Sequence, residues 1–140
     1  MQIRPEILGT DERKKFKLPQ FRKASAIDLK GMMIFTRQFS SLIDSGVAIV
    51  QCLEILSQQE RRPRFRKILQ KVKEDIEAGS GLAESLSRHS ETFPEYFIRI
   101  VEAGEISGTL DKSLRRIGIQ MEKLGRLRAK VIGALTYPAV

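Results

Sequence analysis

From Asp28 onward, apolar residues recur at steps of three and four, and no stretch alternates with a period of two. Such spacing gives each helix one apolar stripe and leaves no half-buried strand to build, so the chain is confined to an all-α fold. Met32, Phe35, Phe39, Leu42 and Ile43 line a first helix, closed by Asp44-Ser45-Gly46. Ile49, Leu53 and Leu56 line a second, ending near Gln58 and Gln59. Phe65, Ile68, Leu69, Val72 and Ile76 define a third, stopped by Gly79-Ser80-Gly81. A short fourth covers 82–88. Pro94 is placed as the first residue of a fifth helix, where its missing N–H costs nothing, and that helix runs through Phe97, Ile98 and Val101 to Gly104. In the sixth, Leu110, Leu114, Ile117, Met121 and Leu124 step by four, three, four and three, a heptad spacing that can build a helix–helix seam. The expected architecture is an all-α domain of six helices. Gly46, Gly81, Gly104 and Gly108 make its tight turns, and Phe39, Leu53, Phe65, Leu69, Phe97 and Leu114 fill its core.

The 140 residues fit one domain. Ahead of the periodic region, residues 1–27 are polar, basic and broken by Pro5, Gly9 and Pro19, which reads as a largely unstructured arm. They hold no apolar stretch of the length a signal peptide needs.

The formal net charge of +8 is unevenly placed. Residues 1–30 have a balance of +4, residues 31–111 of −2, and residues 112–130 of +6. The last block comprises Lys112, Arg115, Arg116, Lys123, Arg126, Arg128 and Lys130 against Glu122 alone, and residues 131–140 carry no charge. Basic residues accumulate in this way on the cytoplasmic side of a membrane helix. Ten uncharged residues are fewer than a span requires. On composition they read either as the beginning of such a helix or as the last turns of a buried one.

Enzymatic readings find little support. No phosphate-binding G-x-x-x-x-G-K-[ST] is present. One Cys and one His exclude a Cys/His zinc site, and a single Cys forms no disulfide within the chain. Cys52 lies on an apolar helix face and reads as a small buried hydrophobe, while His89 reads as a hydrated surface residue. Glu102, Glu105 and Asp111 flank a Gly-containing turn where oxygen ligands can hold a hard cation, although the spacing is not that of an EF-hand. Helix-end charges on a hydrated surface explain them as well. Nucleic-acid binding is the alternative that charge alone offers, through Arg115, Arg116, Lys123, Arg126, Arg128 and Lys130. No recognition motif accompanies these residues, and a phosphate surface does not require the uncharged tail.

Specific words accompany the periodicity. Phe35-Thr36-Arg37-Gln38-Phe39 followed by Leu42-Ile43-Asp44-Ser45-Gly46-Val47 resembles the opening of the type II secretion system F domain, found in the inner-membrane platform proteins of type II secretion and type IV pilus machines. Three further stretches resemble that family in order: Gly79-Ser80-Gly81-Leu82-Ala83-Glu84-Ser85-Leu86, then Phe93-Pro94 with Val101-Glu102-Ala103-Gly104-Glu105 through Ser107-Gly108-Thr109-Leu110-Asp111, and finally Gly133-Ala134-Leu135-Thr136-Tyr137-Pro138-Ala139-Val140. The resemblance covers residues 28–140. It implies a basic arm over 1–27, a cytoplasmic bundle over 28–130, and the beginning of a transmembrane helix over 131–140. It further implies that the six helices form an antiparallel bundle, and that the protein is a non-enzymatic scaffold at the bacterial inner membrane, facing the cytoplasm and forming a homodimer or higher oligomer through the seam of Leu110, Leu114, Ile117, Met121 and Leu124. Such a scaffold couples an assembly ATPase to pilin or pseudopilin assembly. No cofactor and no nucleic acid are implied, while a divalent cation at Glu105 and Asp111 is left open.

Overall fold

The computed structural model describes the backbone of residues 25–139 and the side chains of residues 25–130. Most of the arm expected over 1–27, and the side chains of 131–140, therefore lie outside the described residues. Six helices follow in order: α1 (Leu29–Asp44), α2 (Ile49–Gln59), α3 (Pro63–Glu77), α4 (Leu82–Ser87), α5 (Glu95–Ser107) and α6 (Leu110–Ala139). Among the described residues there is no strand.

Local chemistry sets the boundaries. Asp28 opens α1, its carboxylate accepting the Gly31 N–H at 2.9 Å. The helix closes where Gly46 takes a left-handed φ of 89°. There the Gly46 N–H donates to the Ile43 carbonyl and the Val47 N–H to the Leu42 carbonyl, at 3.0 and 3.1 Å. This paired closure satisfies carbonyls that the helix would leave orphaned. In Gly79-Ser80-Gly81 the turn is made by Gly79, at φ 112°. Gly81 instead is extended and precedes α4, which corrects its expected role. Pro94 lies one position outside α5.

Each helix packs on the next, and α6 returns to pack on α1, closing a ring. Asp44 of α1 pairs with Arg115 of α6, Arg37 with Glu122, and Met33 lies against Gly125. As the number rises on one helix it falls on the other, so α1 and α6 run antiparallel. Inside the ring, Phe35 meets Phe65 edge to face at 5.1 Å between centroids. Phe93 links that pair to Phe97, at 6.0 Å from Phe65 and 5.3 Å from Phe97. Offset and edge-on rings of this kind add stabilisation beyond burial alone. The six expected core residues are all buried.

Two expectations are overturned. Leu114, Ile117 and Met121 were read as part of a seam between copies, yet they are buried inside the bundle and face α1 and α5. Leu110 is partly buried against the same core, and only Leu124 is exposed. A heptad stripe records packing against some helix without saying whose. Gly104 makes no turn either, because α5 continues to Ser107. A Cβ at Gly104 would lie 2.8 Å from Ser113 Cβ and 3.1 Å from Leu110 Cα, so glycine is what lets α5 and α6 approach.

Candidate functional site

The residues singled out by their chemistry fall in three places along α6. At its beginning stands the Ala103-Gly104-Glu105 segment of α5. One Glu105 carboxylate oxygen accepts the Leu82 N–H at 2.6 Å and the other accepts the Ala83 N–H at 2.9 Å. The carboxylate thus satisfies two of the orphaned N–H groups at the start of α4, which lacks a capping side chain of its own. Among the described residues, no three or more His, Cys, Asp or Glu side chains are grouped so as to hold a metal ion. Glu105 ties α4 to α5, and Asp111 sits in the first turn of α6, where the helix dipole favours an acid.

Along its middle, α6 forms a groove with α1. Met33, Arg37, Ser40, Gly118 and Ile119 are among its lining residues, around a volume of about 260 Å³. The exposed Arg37–Glu122 pair crosses it at 2.8 Å. A pair this exposed contributes roughly 0–1 kcal/mol, so it orients side chains more than it holds the helices. Elsewhere, the Glu54 carboxyl is held below its usual range by its hydrogen bond with Lys73, and Lys73 is correspondingly raised.

Towards the end of α6, burial runs out. Among the described side chains, Met121 is the last buried one and Gly125 the last partly covered one, while residues 126–130 are all exposed. The helix continues to Ala139, and the exposed residues 126–130 already extend it about 7 Å past its last covered residue. No helix among the described residues is long and apolar enough to cross a membrane. Arg126, Arg128 and Lys130 project from this extension, with Lys123 just inside it. The expected grouping of basic residues is therefore split. Arg115 pairs with Asp44 at 3.3 Å, at the opposite end of the bundle from where α6 leaves, and Arg116 is next to it. About 15 Å of helix separates Arg116 from Arg126.

A second basic group escaped the reading of the sequence. Arg61, Arg62, Arg64, Arg66 and Lys67 cluster around Pro63, where α3 begins. The signal was present as five basic residues in seven, hidden in a segment whose overall balance is −2. Beside the extension, Tyr96, Gln120, Lys123, Leu124 and Leu127 line a second hollow of about 320 Å³. Leu124 and Leu127 are 44% and 59% exposed, and burial pushes the Tyr96 hydroxyl above its ordinary pKa.

Cys52 is fully buried, and desolvation raises its thiol pKa, the opposite of what a nucleophile needs. His89 is partly buried rather than hydrated, with Nε2 enclosed and unpartnered among the described residues.

The family model for protein F of the type II secretion system (T2SS) matches residues 35–140. The chain belongs to that family. It is 40% identical to the type IV pilus assembly protein PilC of Myxococcus xanthus over 81% of its own length and 27% of the relative's. With PilC of Thermus thermophilus the identity is 39%, over 80% of the chain and 27% of the relative. With the type II secretion system protein F of Vibrio cholerae it is 34%, over 81% and 28%. The chain thus spans a little over a quarter of the length of these relatives. The family's match takes in the Phe35 to Phe39 segment, the Glu105 clamp and the whole of α6.

Proposed function

We propose that this chain is a cytoplasmic scaffold domain of an inner-membrane platform protein, coupling an assembly ATPase to pilin or pseudopilin assembly in a pilus or secretion machine. The observation that carries this reading is the double use of α6. Its first half is a stave of the bundle, packed on α1 and α5, and its second half leaves the bundle carrying basic residues towards an uncharged stretch. A helix shared in this way passes a displacement of the bundle along its own axis without a hinge between them. The work is mechanical and needs no catalytic residue. Self-association, in this reading, uses the exposed Ile119 and not the buried Leu114, Ile117 and Met121.

The test is direct binding. Mixed with the assembly ATPase of the same cell, the chain should co-sediment with it and change its ATP turnover. Absence of both effects at concentrations well above those in the cell would contradict the proposal.

A further inference from the structure

Charge dispersed along the sequence is gathered at one end of the fold. The Arg62 guanidinium lies 3.8 Å from Asp28, which caps the start of α1, and Arg64 donates to the Ser25 carbonyl at 3.4 Å. The Ala26 N–H donates to the Thr92 hydroxyl at 3.2 Å, which brings the beginning of α5 to the same end. Because α6 runs antiparallel to α1 and passes Met33 at Gly125, it leaves the bundle here as well. The basic corner at 61–67 and the basic extension of α6 therefore share one end. The opposite end is mixed in charge: Asp44, Glu74, Glu77, Glu102 and Asp111, at the far ends of α1, α3 and α5 and the start of α6, stand there with Lys112, Arg115 and Arg116.

The field at the basic end is only partly offset, by Asp28, Glu60 and Glu95. Arg61 and Lys67 are exposed and have no partner among the described residues, and Arg62 is shared between Glu60 and Asp28. No acidic residue occupies the first turn of α3, so the positive pole of that helix adds to the cluster. Apolar side chains are interleaved with the charge: Leu124 and Leu127 stand exposed beside Lys123, with Tyr96 in the same hollow. A nucleic-acid backbone has no use for exposed leucines. A lipid surface takes both, basic groups at the headgroups and apolar ones at the acyl boundary.

We infer that this end of the bundle rests on an anionic lipid surface, with Arg61 and Lys67 at the α2–α3 corner forming a lipid contact separate from the α6 extension. The inference rests on the platform reading above and adds an orientation to it. One contact through α6 leaves the bundle free to swivel about that helix, whereas a second contact fixes its roll and turns the mixed-charge end away from the membrane.

The experiment is co-sedimentation of this chain with vesicles of phosphatidylcholine alone and of an equimolar mixture with phosphatidylglycerol, at low salt, where exposed charges are least screened. Binding should require phosphatidylglycerol. Arg61→Glu with Lys67→Glu should lower the partition coefficient at least about tenfold. Lys112→Glu with Arg116→Glu, the same change of charge at the opposite end, should lower it less than about threefold. Equal losses for both pairs, binding that ignores phosphatidylglycerol, or retention on duplex DNA but not on vesicles would each overturn the inference. The assembly ATPase is titrated against the same proteins, so loss of lipid binding with ATPase binding intact refutes the orientation and leaves the scaffold reading standing.

Discussion

Replacing Gly104 with alanine sets two effects of opposite sign against each other. Gly104 lies within α5, where alanine is favoured over glycine by roughly 1 kcal/mol on helix propensity. The added methyl, however, meets Ser113 Cβ at 2.8 Å and Leu110 Cα at 3.1 Å. Neither atom can rotate away, since one is backbone and the other is fixed to it. Relief requires α5 and α6 to separate, and overpacking of this kind costs about 1–3 kcal/mol. With two immobile partners the cost falls in the upper half of that range, so Gly104→Ala should destabilise by about 1–2 kcal/mol net. For a domain of this size that lowers Tm by about 5–10 °C, read by circular dichroism. Gly118→Ala supplies the matched comparison. It also lies within a helix, but its added Cβ meets nothing within 4 Å. Propensity then acts alone and should raise stability by about 0.5–1 kcal/mol. An unchanged or higher Tm for Gly104→Ala would refute the close approach of α5 and α6, and with it the reading of Ala103-Gly104-Glu105 as a packing device.

Glu105→Ala should cost about 2 kcal/mol by leaving the Leu82 and Ala83 N–H groups without their acceptor, and Glu105→Gln should cost less because one acceptor oxygen remains. A comparable fall in Tm when the unaltered chain is treated with a chelator would instead assign that carboxylate to a metal. Cys52 should react with a thiol reagent at least about a hundredfold more slowly in the folded chain than in denaturant, since both burial and its raised pKa suppress the thiolate. Rapid labelling under native conditions would contradict the closed core.

Helix number and most boundaries were legible because apolar period and Gly-based closure are local signals, although α5 begins after Pro94 and runs past Gly104 to Ser107. What the sequence hid was which neighbour each stripe meets. Leu114, Ile117 and Met121 form a stripe whether the facing helix is α1 of the same chain or a second copy, and only the closed ring decides it. Gly104 looked like a helix end, as glycine often is. Its reason, a contact with Leu110 and Ser113, appears only once α5 and α6 are side by side. Phe93 lies between helices, where no periodicity marks it, yet it bridges Phe65 and Phe97. Glu105 reaches 23 residues back along the chain to Leu82. The basic corner at 61–67 vanished in a segment whose balance is −2, because the sum counts against it Glu74, Asp75 and Glu77 at the other end of α3 and the acids of the other helices.

The central claim is that α6 is one continuous element passing force between the bundle and whatever lies beyond it, and Leu127→Pro in the full-length platform protein tests this most directly. Leu127 is exposed and lies past the last covered residue of the bundle. Proline there breaks the helix by removing a backbone hydrogen bond and clashing with the preceding turn, while the core is untouched. The account predicts a bundle with unchanged Tm and unchanged ATPase binding, and loss of pilus or secretion output. Full output from a stably folded, ATPase-binding Leu127→Pro protein would contradict it.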